Sequence, residues 1–193
     1  MQVVELNVKL LDLPYPVIRK LRVPVALRLS DLHKLLQAAM PWDDSHLYDF
    51  SLGRSLRWTK PGPDDWGDTR DATVETLAGV LAELGRKRSF VYTYDMGDSW
   101  EHEITTGKPV ELAPGEAAIT LLAAEGACPP DDSGGAPGFD HMLEAATDPT
   151  HESHQDMVEW LGDQHPWNPA ADLPKLNAQV SKVAARILKR LSS

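Results

Sequence analysis

Asp95, Asp98 and His102 lie close together in Tyr92-Thr93-Tyr94-Asp95-Met96-Gly97-Asp98-Ser99-Trp100-Glu101-His102-Glu103. Carboxylate oxygens suit Mg²⁺ or Mn²⁺, and an imidazole widens the choice to zinc or iron. These three residues are therefore the metal-ligand candidates, for a divalent ion that could activate water against a phosphoester. A second acid-and-imidazole segment, Trp42-Asp43-Asp44-Ser45-His46, precedes them, and a proline-stiffened one, Cys128-Pro129-Pro130-Asp131-Asp132-Ser133-Gly134-Gly135, follows. If the three meet, they form one pocket for a small ligand or a protein. Its candidate residues are Trp42, Asp43, His46, Asp95, Asp98, Trp100, His102, Cys128 and Asp132.

Each candidate also has a purely structural role open to it. His102 alternates with Trp100 and Ile104, the pattern of a core histidine tied to a carboxylate or carbonyl. Asp95 and Asp98 can brace the turn by accepting hydrogen bonds from its amides, with Gly97 supplying a positive φ. Trp42 can roof the core instead of stacking on a ligand ring. Cys128 can pack as a small apolar group. Ser99 is a poor nucleophile candidate: neighbouring strand residues face opposite ways, and no Gly-x-Ser-x-Gly elbow is present.

The elements that must position these groups follow from periodicity. Val4, Leu6, Val8 and Leu10 alternate with polar or smaller residues and predict a half-buried strand. Val17–Val23 predicts a second, with Arg19 on the face of Val17 and Leu21. Ser30 reads as the N-cap of a helix through Leu32, Leu35, Leu36, Ala39 and Met40, stopped by Pro41. His46–Leu52 predicts another strand. The start, strand-strand-helix-strand, points to an α+β fold with a β-grasp-like mixed sheet. Thr59–Ala72, rich in Pro, Gly and Asp, predicts an exposed loop. Thr73 then caps a short helix that ends at Gly85. Phe90, Tyr92 and Tyr94 on one side, and Trp100, His102 and Ile104 on the other, predict a central β-hairpin. The C-terminal part predicts helices at 139–147, 153–161 and 172–193, the last amphipathic with a basic end. We expect one domain over residues 1–193.

The net charge of −10 opposes a bare electrostatic DNA binder, whose affinity rests on Lys and Arg contacts to phosphate. The single cysteine excludes an internal disulfide. Met1–Glu5 lacks the pattern of a signal peptide, and no apolar run reaches membrane-spanning length, so a cytoplasmic location away from membranes is expected.

Five separated blocks resemble the plasmid pRiA4b ORF-3-like family. They are the Pro16–Pro24 strand, Trp42–Phe50, the Tyr94–His102 hairpin, Cys128–Gly135 and Glu159–Gly162. The family's second cysteine is Ser133 here, and its second histidine in the Trp42 block is Tyr48, so chemistry needing both thiols is not shared by this chain. The resemblance implies a module associated with mobile genetic elements, whose relatives include proteins labelled TnpR-like passengers of insertion sequences. Three functions stay open: a binding or interaction module, a metal-dependent hydrolase acting on a phosphoester or nucleic acid, and a resolvase-like DNA-binding protein.

Overall fold

The alternating segments pair into one large antiparallel sheet with a single parallel edge pair. A computed structural model describes residues 1–62, 69–85 and 87–191. Its strands are β1 (Gln2–Leu10), β2 (Val17–Pro24), β3 (Tyr48–Leu52), β4 (Leu56–Thr59), β5 (Thr69–Asp71), β6 (Ser89–Tyr94), β7 (Trp100–Thr106), β8 (Val110–Glu111) and β9 (Thr120–Glu125). Its helices are α1 (Leu29–Ala39), α2 (Leu77–Leu84), α3 (Gly135–Thr147), α4 (His154–Leu161) and α5 (Leu173–Leu191). The strand order is β5-β4-β3-β6-β7-β1-β2-β9, with β8 beside the start of β1. Among the described residues only β4 and β5 run parallel.

One face of this sheet is largely apolar across its central strands. Tyr94 opposes Trp100, Tyr92 opposes His102 and Phe90 opposes Ile104. His102 in turn opposes Leu10 of β1, and Leu10 opposes Val17 of β2. All of these side chains are buried, whereas Lys20, Glu101 and Glu103 on the other face are exposed and Glu5 is half-buried. A half-wetted antiparallel sheet produces this alternation. Helix α1 lies over the buried face: Leu32, Leu35, Leu36 and Ala39 are fully enclosed, and the His33 ring stacks on Tyr48 of β3. Helix α5 runs beside α1, burying Leu176, Val180, Ala184 and Ile187, and Arg190 near its end pairs with the buried Asp31.

The strand-strand-helix-strand order is present, but β3 does not join β1. It pairs with β4 and β6, so the β6–β7 hairpin stands between β3 and β1. The hairpin's two apolar stripes let it enter the middle of the sheet, and element order does not carry that information.

Three helix starts differ from expectation, α3 beginning at Gly135 rather than Phe139. Helix α1 begins one residue before Ser30, with no side-chain cap. A bridge between Arg28 and Thr76 lets Leu29 N–H donate to Glu75 O and Ser30 N–H donate to Ala72 O, so backbone from elsewhere satisfies the orphan amides. Helix α2 is capped by Thr76, whose side chain accepts from Gly79 N–H at 3.3 Å; Thr73 instead donates its N–H to Asp71. In the 59–72 segment, Thr69–Asp71 forms an edge strand, while residues 63–68 lie outside the described residues.

Candidate functional site

Trp42 organises the site. It follows α1, its N–H donating to Gln37 O at 3.1 Å, and its ring turns inward. The indole stacks on Tyr94 (centroids 5.0 Å, 20° between planes), lies against Trp100 and meets the edge of His102. Its Nε1–H donates to Pro129 O at 3.0 Å, holding the 128–135 loop against the sheet. Tyr94 makes a second tie: its hydroxyl accepts from Ser45 N–H at 3.2 Å and donates to Asp131 Oδ2 at 3.3 Å.

The hairpin turn supplies the third. Asp95 Oδ1 accepts from Gly97 N–H at 2.8 Å, and Asp98 Oδ2 accepts from Gly134 N–H of the loop at 3.0 Å. The positive φ values of this turn fall on Asp95 (56°) and Ser99 (54°) rather than on Gly97. A short side chain that bonds its own backbone makes the left-handed region accessible to aspartate. Gly135 (φ 68°) packs so closely that a Cβ would stand 2.5 Å from Asp98 O. Replacing it with alanine adds that clash to a left-handed penalty of roughly 1–2 kcal/mol. Gly135→Ala is expected to lose at least that much in denaturant unfolding, with faster amide exchange in the 128–135 loop.

The three sequence blocks therefore meet, but their donors sort differently from the expected metal set. His46 Nε2 lies 2.8 Å from Asp132 Oδ1 and 3.7 Å from Asp95 Oδ2, and one donor atom from each of the three falls within 4.8 Å of the others. Asp95 Oδ1 is committed to the turn, which orients Oδ2 toward His46. Desolvation opposes charging His46, but the hydrogen bond to Asp132 and the fields of Asp95, Asp132 and Asp131 outweigh it and raise its pKa. Beside this trio, Asp43 N–H donates to Asp131 Oδ2 at 3.4 Å, and the two carboxyls lie close enough to shift one another. Partial burial and the Asp43 contact raise Asp131, while hydrogen bonds from Ser45 and Asp131 lower Asp43. The two shifts are opposite, so on acidification Asp131 takes up a proton before Asp43 does.

Of the residues expected as ligands, Asp95 joins the trio and the other two do not. Asp98 caps the loop. His102 is fully enclosed among Trp42, Tyr92 and the strand backbone; Nδ1–H is shared by Trp100 O (3.0 Å) and Tyr92 O (3.2 Å), and Nε2 is buried without a partner. Burial pulls its pKa down to about 4. Trp100 is core as well. Cys128 is buried, its thiol pushed far up by desolvation, the opposite of a reactive thiolate's environment.

A second polar cluster escaped sequence reasoning. His33 Nε2–H donates to Asp44 Oδ1 (2.6 Å), the Tyr92 hydroxyl donates to His33 Nδ1 (2.8 Å), and Gln37 Nε2 donates to the Tyr92 oxygen (3.1 Å). Gln37 Oε1 closes the loop by accepting from Asp44 N–H at 3.0 Å. Burial lowers the pKa of His33 more than Asp44 raises it, and desolvation holds Tyr92 well above its ordinary value, so both stay neutral. The signal was present: His33, Leu36, Gln37 and Met40 stand at i, i+3, i+4 and i+7, one helix face.

Comparison with known proteins bears on this arrangement as a whole. The chain is 41% identical over 185 residues to the uncharacterized protein y4hQ of Sinorhizobium fredii (strain NBRC 101917 / NGR234), covering 95% of this chain and 93% of that protein. Its fold resembles the crystal structure of the protein of unknown function MM3350 from Methanosarcina mazei Go1. That likeness has a TM-score of 0.78 and 29% identity, over 90% of this chain and 96% of the other. The family model of the plasmid pRiA4b ORF-3-like protein matches residues 2–174, which include the Trp42 segment, the hairpin and the 128–135 loop, and the chain belongs to that family.

Proposed function

We propose that this chain is a binding module, cytoplasmic and derived from mobile genetic elements, that engages its ligand through a divalent cation held by His46, Asp95 and Asp132. The observation that carries this reading is the convergence of one imidazole nitrogen and two carboxylate oxygens within 4.8 Å, each from a different sequence block. Mixed nitrogen and oxygen donors suit Mn²⁺ or Zn²⁺. The hydrogen bond from Gly97 N–H to the other Asp95 oxygen is the kind of support that orients a metal-ligating carboxylate. The exposed side chains of Leu47 and Met96 border the trio in sequence and would give a ligand apolar contact.

Calorimetric titration of the purified, chelator-treated protein with MnCl₂ and with ZnCl₂ tests it. Binding is expected to be stronger at pH 8 than at pH 6, because a cation competes with the proton that the raised pKa keeps on His46. His46→Ala and Asp132→Ala should each weaken it at least ~10-fold, the scale of lost metal-site support. Asp98→Asn should change it less than either. No binding of either ion at pH 8, or equal binding by the His46 and Asp132 variants, overturns the reading.

One observation favours a second reading, a metal-dependent phosphoester or nucleic-acid hydrolase: Asp131, a carboxyl whose pKa is raised by desolvation, stands next to Asp132 and would serve as the general acid. Mn²⁺-dependent cleavage of a p-nitrophenyl phosphodiester, lost in Asp131→Asn, would select it.

A further inference from the structure

Arg19 is a fully buried cation, 1% exposed, on the apolar face of the sheet. Its Nε–H donates to Ala39 O at the end of α1 (2.7 Å), and Nη1 donates to Ile18 O (2.9 Å), Glu125 O (2.8 Å) and Gly126 O (3.0 Å). These acceptors are all neutral carbonyls. No carboxylate among the described residues pairs with the guanidinium, and Nη2 donates to none of them. Buried charges are ordinarily paired, because desolvating an ion costs several kcal/mol. Desolvation does lower the pKa of Arg19, yet guanidinium stays protonated in proteins.

The same residue lines a cavity of about 300 Å³ between the Cys128 segment, residues 163–172 and the start of α5. Its walls include Pro41, Pro166, Trp167 and Leu176, the apolar part of a half-open cleft at the small end of the ligand-pocket range. Trp167 is fixed in that wall, its Nε1–H donating to Tyr15 Oη (3.0 Å) while the Tyr15 hydroxyl donates to Ala127 O (3.0 Å). Lys175, Asp163 and Asp172 also line it, and their formal charges sum to −1, against the +1 of Arg19. A dianion would meet the two aspartates, whereas one negative charge suffices for Arg19.

We infer that this cavity binds a small organic monocarboxylate, its carboxylate accepting from Arg19 Nη2 and its apolar body lying against Trp167 and Leu176. This site is independent of the cation trio. Arg19 joins three elements whose carbonyls would otherwise face one another, so it also has a structural role, and the two roles use different nitrogens. Guanidinium–carboxylate bonds are among the stronger ones available to a protein.

Benzoate, titrated into the full chain by calorimetry, with benzamide and inorganic phosphate as comparators, decides the matter. Benzoate should bind saturably at one site, with benzamide and phosphate each at least ~10-fold weaker, the discrimination expected when a charge-assisted bond is lost. Ala170→Phe, which fills the cavity wall without touching the Arg19 hydrogen bonds, should weaken benzoate by a similar factor. Arg19→Gln should abolish binding; should that variant fail to fold, Ala170→Phe alone decides. Absence of benzoate binding, equal affinity for benzamide, or undiminished binding by Ala170→Phe overturns the assignment.

Discussion

Trp42→Ala is expected to remove about 3–5 kcal/mol of folding stability, the usual cost of emptying a buried tryptophan site. Trp42 is only 7% exposed, and its indole packs against Tyr94, Trp100 and His102 at once. Truncation leaves these three rings without a common partner in a close-packed interior that relaxes incompletely. It also deletes the hydrogen bond to Pro129 O, so the 128–135 loop loses one of its attachments and Asp132 loses its fixed distance from His46. Denaturant unfolding should show the midpoint falling at constant m, and cation binding should fall with it. Trp42→Phe separates the two effects: it keeps an aromatic ring in the stack and loses the indole donor. That single hydrogen bond is worth roughly 1 kcal/mol, plus the penalty of an unpaired carbonyl if Pro129 O stays dry. A Trp42→Ala variant within about 1 kcal/mol of the natural chain would mean that the roof is dispensable, contrary to the packing.

Acid should destabilise the protein well before its carboxylates titrate. His102 has a folded pKa of about 4 because burial disfavours the imidazolium, against roughly 6.5 in the unfolded chain. The unfolded chain therefore takes up a proton near pH 6.5 that the folded chain refuses until about pH 4. Stability is full above the unfolded pKa, falls as pH drops through the interval and levels off below the folded value. At 1.36 kcal/mol per pKa unit the interval amounts to ~3 kcal/mol. His33, also lowered by burial, adds to the loss in the same direction. His46 acts oppositely: its raised pKa contributes stability that is present below about 6.5 and is lost as pH rises through the folded value. Urea unfolding from pH 8 to pH 4 measures the sum. His102→Leu, close in volume and non-titrating, should flatten the acid limb by most of ~3 kcal/mol while leaving the slope of the alkaline side unchanged. An unaltered acid limb in that variant would mean that another group refuses the proton.

The alternation of β1, β2 and the β6–β7 hairpin was legible because a half-wetted sheet constrains every second residue, and the helical stripes of α1, α3, α4 and α5 were legible for the same reason at period 3.6. Strand β4 and the edge strands β5 and β8 were not, since short segments carry too few residues for a period to emerge. The start of α1 shifted because backbone from another element, rather than Ser30, received its first amides, and that of α2 because Thr76 rather than Thr73 caps it. Within the site, His102 carried both a core reading and a ligand reading. In the fold its ring is fully buried, with Nδ1–H on the carbonyls of Trp100 and Tyr92.

By itself the sequence determined which side chains share a face, that Trp42, the hairpin turn and the Cys128 loop are rich in candidate donors, and which family the motifs resemble. Those are local properties, written at fixed spacings along one segment. Tertiary structure alone decided that the hairpin enters the sheet between β3 and β1, that His46 and Asp132 rather than Asp98 and His102 come to Asp95, and that Arg19 reaches a cavity closed by residues more than a hundred positions away. Such pairings depend on strand order and loop path. A given spacing of residues is compatible with many of these, and the packing of the whole chain selects one.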